Sequence, residues 1–219
     1  MITLHGCYRS RATRPLWALF ETGLEFAHVP VIQAYRLPDP AAPDAPVNTA
    51  SPAFLRVNPM GQIPALVDGD LVLTESLAIT LHIVRRAGGP LAPASDAECA
   101  LMEQWALFAI AAVEGPALEI AYAAADKDIN GTEGQAIINV SAEKLRRPLA
   151  RLDSHLQGRE WLMADRFTAA DIVVEECVRY AQGHPALFDE FPAVKAWVAR
   201  CQARPAFQKM WAGRLAEPA

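Results

Sequence analysis

The chain has 219 residues, of which 52% are hydrophobic and 21% charged, and carries a formal net charge of −5. That much apolar material suffices for one large domain or two small ones and excludes wholesale disorder. A mildly acidic balance without a basic block argues against a nucleic-acid partner.

Cys7, Cys99, Cys177 and Cys201 show neither a close pairing nor metal-ligand spacing, so free thiols in a reducing cytosol are the expectation. His5, His28, His82, His155 and His184 are scattered, and no metal site or catalytic triad is expected. The stretch Met1 to Gly6 lacks the apolar core of a signal peptide, and the longest apolar run, Trp105 to Val113, is too short to span a bilayer. A cytoplasmic protein without a membrane partner is predicted.

Ile2 to His5 reads as a first strand, Gly6 to Arg11 as a loop, and Ala12 to Thr22 as a helix with Leu16, Leu19 and Phe20 facing inward. Gly23 is its stop, and Pro15 falls near its first turn, where proline is tolerated. Phe26 to Ile32 is a second strand. Tyr35 to Ala53 is proline-rich and predicted to be an exposed loop, either a flap over the segment that follows or an ordinary connection.

That following segment, Val57 to Leu81, is the most informative in the chain. Ala65-Leu66-Val67 and Leu71-Val72-Leu73 flank Asp68-Gly69, a strong tight-turn signal, and so predict a hairpin. Pro64 lacks an N–H, which suits a sheet edge or a cis bond. A cis bond would turn the Ile63 backbone outward, ready to pair with an extended peptide. Thr74 is placed to cap a helix with Leu77, Ala78, Leu81 and Val84 on one face. Glu75 and Ser76 then lie in its first turn, where free N–H groups and the helix dipole suit a ligand carboxylate. Strand, helix, strand, hairpin, helix is the thioredoxin-like order.

Ala87 to Ala94 reads as a linker. Beyond it the pattern is helical. Ser95-x-x-Glu98 predicts a capping box opening a helix to about Ala124, with Leu101, Trp105, Phe108 and Ala112 at helical spacing. Thr132-x-x-Gln135 predicts a second box, for a helix to about Leu156. Thr168-x-x-Asp171 predicts a third, with Phe167 and Ile172 placed as a hydrophobic staple. Phe191 to Val194 opens a helix containing Trp197, and Arg204 to Phe207 a short final one.

Asn58-Pro59-x-Gly61-x-Ile63-Pro64-x-Leu66, followed across the hairpin by Glu75-Ser76-x-Ala78-Ile79, closely resembles the glutathione site of cytosolic glutathione transferases. Asp165 to Asp171 looks like the capping motif of that family's helical domain, a structural role that leaves Asp171 non-catalytic. The likeness covers nearly the whole chain. It implies an α/β thioredoxin-like domain (1–87), a linker (88–94) and an all-α helical domain (95–219). It also implies a homodimer, glutathione as co-substrate and a detoxifying transfer of its thiolate to a small hydrophobic electrophile. Glutathione-dependent disulfide reduction and a non-catalytic binding module are the alternatives.

Such a reaction needs the glutathione thiol as thiolate. An unperturbed thiol has a pKa of about 8.5, which helix starts and hydrogen-bond donors lower to roughly 3.5–7.5. Ser10 is the expected donor, since Arg9-Ser10-Arg11-Ala12-Thr13-Arg14 resembles the loop of serine-type, bacterial-like members, in which the hydroxyl precedes the helix arginine by four or five residues. Four gives Ser10 and five gives Arg9. Cys7, in a C-x-x-S arrangement with Ser10, and Tyr8 are the rivals. By the same resemblance Glu75 takes the glutathione ammonium, Ser76 the γ-glutamyl carboxylate, and Ile63, before Pro64, the cysteinyl backbone. Arg9, Arg11 or Gln62 would hold the glycine carboxylate. The electrophile is expected between the domains, with Trp105, Phe108, Ala112 and Tyr122 as possible walls, although periodic aromatics on a helix are more often core.

Overall fold

The computed structural model describes residues 1–125 and 131–218. Its internal contacts divide the chain into Met1–Gly88 with Pro205–Ala219, and Gly89–Arg204. Residues from Pro205 onward therefore belong with the first unit, whereas the sequence reading puts everything from 95 to 219 in one helical domain.

In the first unit, β1 (Ile2–His5), α1 (Thr13–Thr22) and β2 (Phe26–Val29) are followed by α2 (Pro52–Leu55), β3 (Ala65–Asp68), β4 (Leu71–Leu73) and α3 (Ser76–Ala87). The sheet order is β2-β1-β3-β4, with β1 parallel to β2 and antiparallel to β3, and the β3–β4 hairpin at the edge. Gly69, at φ 61°, supplies the left-handed turn residue of that hairpin.

The α1 residues from Thr13 to Leu19 are all buried, including Trp17. The sequence pattern turns only Leu16, Leu19 and Phe20 inward, and Phe20 is in fact half-buried. The difference comes from the last helix: residues Pro205–Ala216 pack on α1, and Phe207 meets Trp17 edge-on with ring centroids 5.0 Å apart. On α3 the inward residues are Ile79, Thr80, Leu81, Ile83 and Val84. Leu77 is half-buried and Ala78 exposed, so the predicted face is rotated. Thr74 does not cap this helix, because the chain turns one residue later, at Glu75.

The loop after β2 is pinned by Asn48. Its side-chain amide donates to the carbonyls of Pro40 and Pro46, its side-chain oxygen accepts the Ala50 N–H, and its backbone bridges to Ile32.

The second unit contains α4 (Asp96–Phe108), a π-helical turn (Ala109–Glu114), α5 (Gly115–Ala125), α6 (Thr132–Leu156), α7 (Ala169–Val178), α8 (Pro185–Asp189) and α9 (Pro192–Gln202). The remaining helix of the first unit, Pro205–Ala216, is α10. Ser95 caps α4 by accepting the Glu98 N–H, while the Glu98 carboxylate takes the N–H of Ala94 instead of Ser95. The box predicted at Thr132 does not form, because Gly131 is the N-cap and Thr132 the first helical residue. The box of Thr168 and Asp171 forms in full.

Residues Asp96–Ala125 run on as a helical stretch of 30 residues, long and apolar enough by length and composition to cross a membrane. Here α4 packs on α7 and α5 on α6, with Met102, Trp105, Ala106, Ala109, Val113, Ala117 and Ile120 buried. The inward stripe thus begins at Met102 and not at Leu101, which is exposed, and Phe108 and Ala112 lie on its half-buried flank.

Candidate active site

The register of the sheet assembles the site. Pairing of His5 with Ala65 sets Pro64 beside Gly6. A side-chain carbon on Gly6 would fall 2.9 Å from the Ala12 Cβ and 3.6 Å from the Pro64 Cα, so glycine lets the loop after β1 pass close to the loop before β3. The Ile63–Pro64 bond is cis, one of the two arrangements the sequence left open for Pro64.

Asn58 shapes the approach to that bond. Its amide donates to the Gln62 carbonyl at 2.7 Å, its side-chain oxygen accepts the Met60 N–H, and its carbonyl accepts the Gly61 N–H. Gly61 has φ 60°, and a Cβ there would meet the Thr49 carbonyl at 2.8 Å. The Ile63 side chain packs against the Val31, Phe54 and Ala65 cluster. Among the described residues, no hydrogen bond falls on the Ile63 backbone. Gln62 is exposed.

Between Cys7 and α1 the chain makes a hydrogen-bonded turn around Ser10. The Ser10 hydroxyl donates to the Cys7 carbonyl at 2.6 Å and accepts the Ala12 N–H at 3.0 Å, and its carbonyl accepts from the Thr13 N–H and hydroxyl. Ser10 therefore supports the helix entry, while Ala12 is the N-cap and offers no side-chain cap. Arg14, fully buried, reaches from α1 to the start of α3, where Nη1 donates to the Ser76 hydroxyl at 2.9 Å. Ser76 is buried, and its carbonyl accepts the Thr80 hydroxyl. Glu75 is exposed and sits at φ 66°, ψ 108°, an unfavourable backbone for a non-glycine residue that costs roughly 1–3 kcal/mol. The structure thus links Ser10, Pro64 and Ser76 through Gly6, Ala12 and Arg14, with Gln62 and Glu75 on the solvent side.

Cys7 is fully buried and donates its thiol to the Gln33 side chain at 3.3 Å. Burial, with Glu217 adding, pushes its pKa up to about 11 against the opposing effects of Arg36, Ser10 and Arg9. Burial thus favours the protonated thiol, which weighs against Cys7 as the redox rival. Tyr8 is also pushed up, first by burial and then by Glu217. Its ring stands edge-on to His28 at 5.4 Å and packs so tightly on Gly213 that a Cβ there would come within 2.6 Å.

Of the possible walls for a second substrate, Trp105 is buried against Phe108 and His155, and Tyr122 is exposed. Among the described residues no three His, Cys, Asp or Glu side chains gather as metal ligands. Sequence reasoning used Arg14 only as a register mark and missed its bond to Ser76. It also missed Glu217, whose carboxylate accepts the Tyr8 and Arg9 N–H groups. No local signal announces a contact between residues so far apart in the chain.

Residues 1–85 match the family model described as glutathione S-transferase, N-terminal domain, and residues 110–205 that described as glutathione S-transferase, C-terminal domain. Glutathione S-transferase 3 of Zea mays is 34% identical over 201 residues, covering 87% of this chain and 84% of its own. Glutathione transferase F7 from Populus trichocarpa superposes with a TM-score of 0.81 at 29% identity, over 98% of this chain and 99% of the other. Glutathione S-transferase-I, solved with lactoylglutathione bound, gives a TM-score of 0.81 at 28% identity over 97% and 99%. With both family models matched in order, and with a relative 34% identical over 87% of the chain, this protein belongs to the glutathione S-transferase family.

Proposed function

We propose that the protein is an enzyme that conjugates the glutathione thiolate to small hydrophobic electrophiles. The observation that carries this reading is the Arg14–Ser76 bond, which fixes the open start of α3 against the Ser10-bearing start of α1. A similar structure with lactoylglutathione bound, and a family member from Pseudomonas fluorescens with two glutathione bound, support it.

In this reading the γ-glutamyl end of glutathione lies on the start of α3. Ser76 accepts from Arg14, so its own hydrogen remains to be given to the carboxylate, and exposed Glu75 takes the ammonium. The Ile63 backbone pairs with the cysteinyl residue beside cis Pro64, and Gln62 faces the glycine end. Ser10 then needs one rotation of its hydroxyl, moving the hydrogen from the Cys7 carbonyl to the sulfur while the Ala12 N–H still holds the oxygen. A hydrogen bond to a charged group contributes about 1.5–3 kcal/mol, which is one to two pKa units of thiol acidity. With the proton released to solvent, the sulfur lone pair forms the carbon–sulfur bond. With an aryl halide the carbon–halogen bond breaks and halide leaves with its electron pair. Cys7, buried and protonated, speaks against disulfide exchange as the main activity.

We assign glutathione binding to the thioredoxin-like part, residues 1–87. The family likeness favours a cytoplasmic homodimer with a detoxifying role and neither nucleic-acid nor membrane partners. Turnover of an aryl halide with glutathione across pH tests the chemistry. Ser10→Ala is expected to lower kcat/KM roughly tenfold to a hundredfold. It should also move the lower pH inflection upward while calorimetric glutathione affinity changes little. An unchanged rate and inflection would place the thiolate donor elsewhere.

A further inference from the structure

The segment after α10 folds back onto the loop that carries Ser10. One carboxylate oxygen of Glu217 accepts the Tyr8 N–H at 3.0 Å and the other accepts the Arg9 N–H at 2.5 Å. The Arg9 Nε donates to the Glu217 carbonyl at 2.8 Å, and the Arg36 Nη2 donates to the Pro218 carbonyl at 2.6 Å. Gln33 braces the cradle by donating to the Arg9 carbonyl and accepting from the Arg36 Nη1 and the Cys7 thiol. Two successive backbone N–H groups form an anion-binding nest, here occupied by a carboxylate, and the two guanidinium groups hold the main-chain carbonyls of Glu217 and Pro218 next to it.

The occupant sits at the exposed end of α10, where its N–H still donates to the Gly213 carbonyl. Leu215 and Ala216 in the last turn of α10 and Pro218 beyond it are exposed, so hydrogen bonds and not buried apolar side chains hold Glu217 in the cradle. Each such hydrogen bond contributes a net of about 0.5–1.5 kcal/mol, and up to about 3 kcal/mol where one partner is charged. An incoming carboxylate with further contacts can displace it. The cradle belongs to the two residues immediately before Ser10, where a displacing anion would lie beside the thiolate donor.

We infer that the Tyr8 and Arg9 N–H groups, with the Arg9 and Arg36 guanidinium groups, form a carboxylate subsite for the electrophile, which Glu217 fills in the resting chain. This deepens the transferase reading and rests on it. The protein thereby prefers electrophiles that carry a carboxylate, and Glu217 competes with them for the subsite.

The test compares chloronitrobenzoate, an anionic aryl halide, with neutral chlorodinitrobenzene, for the native chain, Glu217→Ala and a chain stopped before Glu217. In both altered chains KM for the benzoate should fall about tenfold, while KM for the neutral halide stays within about twofold and glutathione affinity is unchanged. The benzoate preference should shrink at raised salt. An equal fall for both halides would make the segment a bulk cover, a gain confined to glutathione affinity would give the cradle to the glycine carboxylate, and no change would leave Glu217 a structural brace. Each of these overturns the proposal. Calorimetric titration with nitrobenzoate, which needs no turnover, separates this from the broader reading. Tighter binding to Glu217→Ala without conjugation of either halide would sink the transferase and keep the anion site, whereas equal or absent binding would sink the site.

Discussion

The starts of α7 and α3 meet the same need in opposite ways. At α7, Thr168 accepts the Ala170 N–H, while one Asp171 oxygen takes the Thr168 N–H and the other takes the Leu162 N–H and the Trp197 indole. The carboxylate is fully committed inside the helical unit. At α3 the cap residue Glu75 is exposed and makes no side-chain cap, and Ser76 is oriented from behind by Arg14. A helix start closed by its own side chains is structural, whereas one left open and rigidly oriented suits an anionic ligand, which is the role proposed above for the α3 start. Both carry an acid and a hydroxyl near the first turn. Only the direction of their hydrogen bonds tells them apart.

The largest expected effect tests the closed start. Asp171→Ala removes the acceptor of three buried N–H donors and of the Thr168 hydroxyl and should cost about 3–5 kcal/mol in urea unfolding, with glutathione binding by the remaining folded protein unaltered. A loss below about 1 kcal/mol would remove the contrast between the two helix starts.

Next comes pH. Burial raises the Glu175 carboxyl to about 8, with Glu176 adding and Arg179 and Gln202 opposing, and raises Asp171 to about 6. An acid whose pKa is raised by folding binds more protons in the native state, so its contribution is full below the unfolded value and is lost as pH rises through the folded one. Between pH 6 and 8 the native chain should therefore lose stability on the order of 2 kcal/mol that Glu175→Gln does not lose. Parallel profiles for the two chains would assign that slope to another group.

Ser76→Ala tests the open start. It should cost about 1–2 kcal/mol of stability, because Arg14 loses a buried acceptor, and should weaken glutathione by about tenfold in calorimetry. Normal affinity would mean that the α3 start does not receive the ligand. The smallest effect is expected for Cys7→Ala: kcat within about twofold and a stability loss of about 1 kcal/mol for the small cavity. A collapse of activity would restore the thiol to the mechanism.

What lay in the sequence was local. The hairpin around Gly69, the turn from Asn58 through Gly61 to cis Pro64, and the box of Thr168 and Asp171 are each set by residues a few positions apart, whose backbone preferences and short hydrogen bonds leave a pattern in the letters. The same pattern nominated Ser10, Ile63, Glu75 and Ser76 as site residues, because each lies in or beside such a turn. Three features were decided only by the tertiary structure. α1 is buried on the side its pattern leaves open, because α10 returns to cover Trp17. Arg14 orients Ser76 across the sheet unit. Cys7 is kept protonated by its surroundings, and the N–H groups next to it are filled by Glu217. These contacts join residues far apart in the chain, and charge, burial and donor direction at such meetings depend on the path between them, which no spacing in the sequence records.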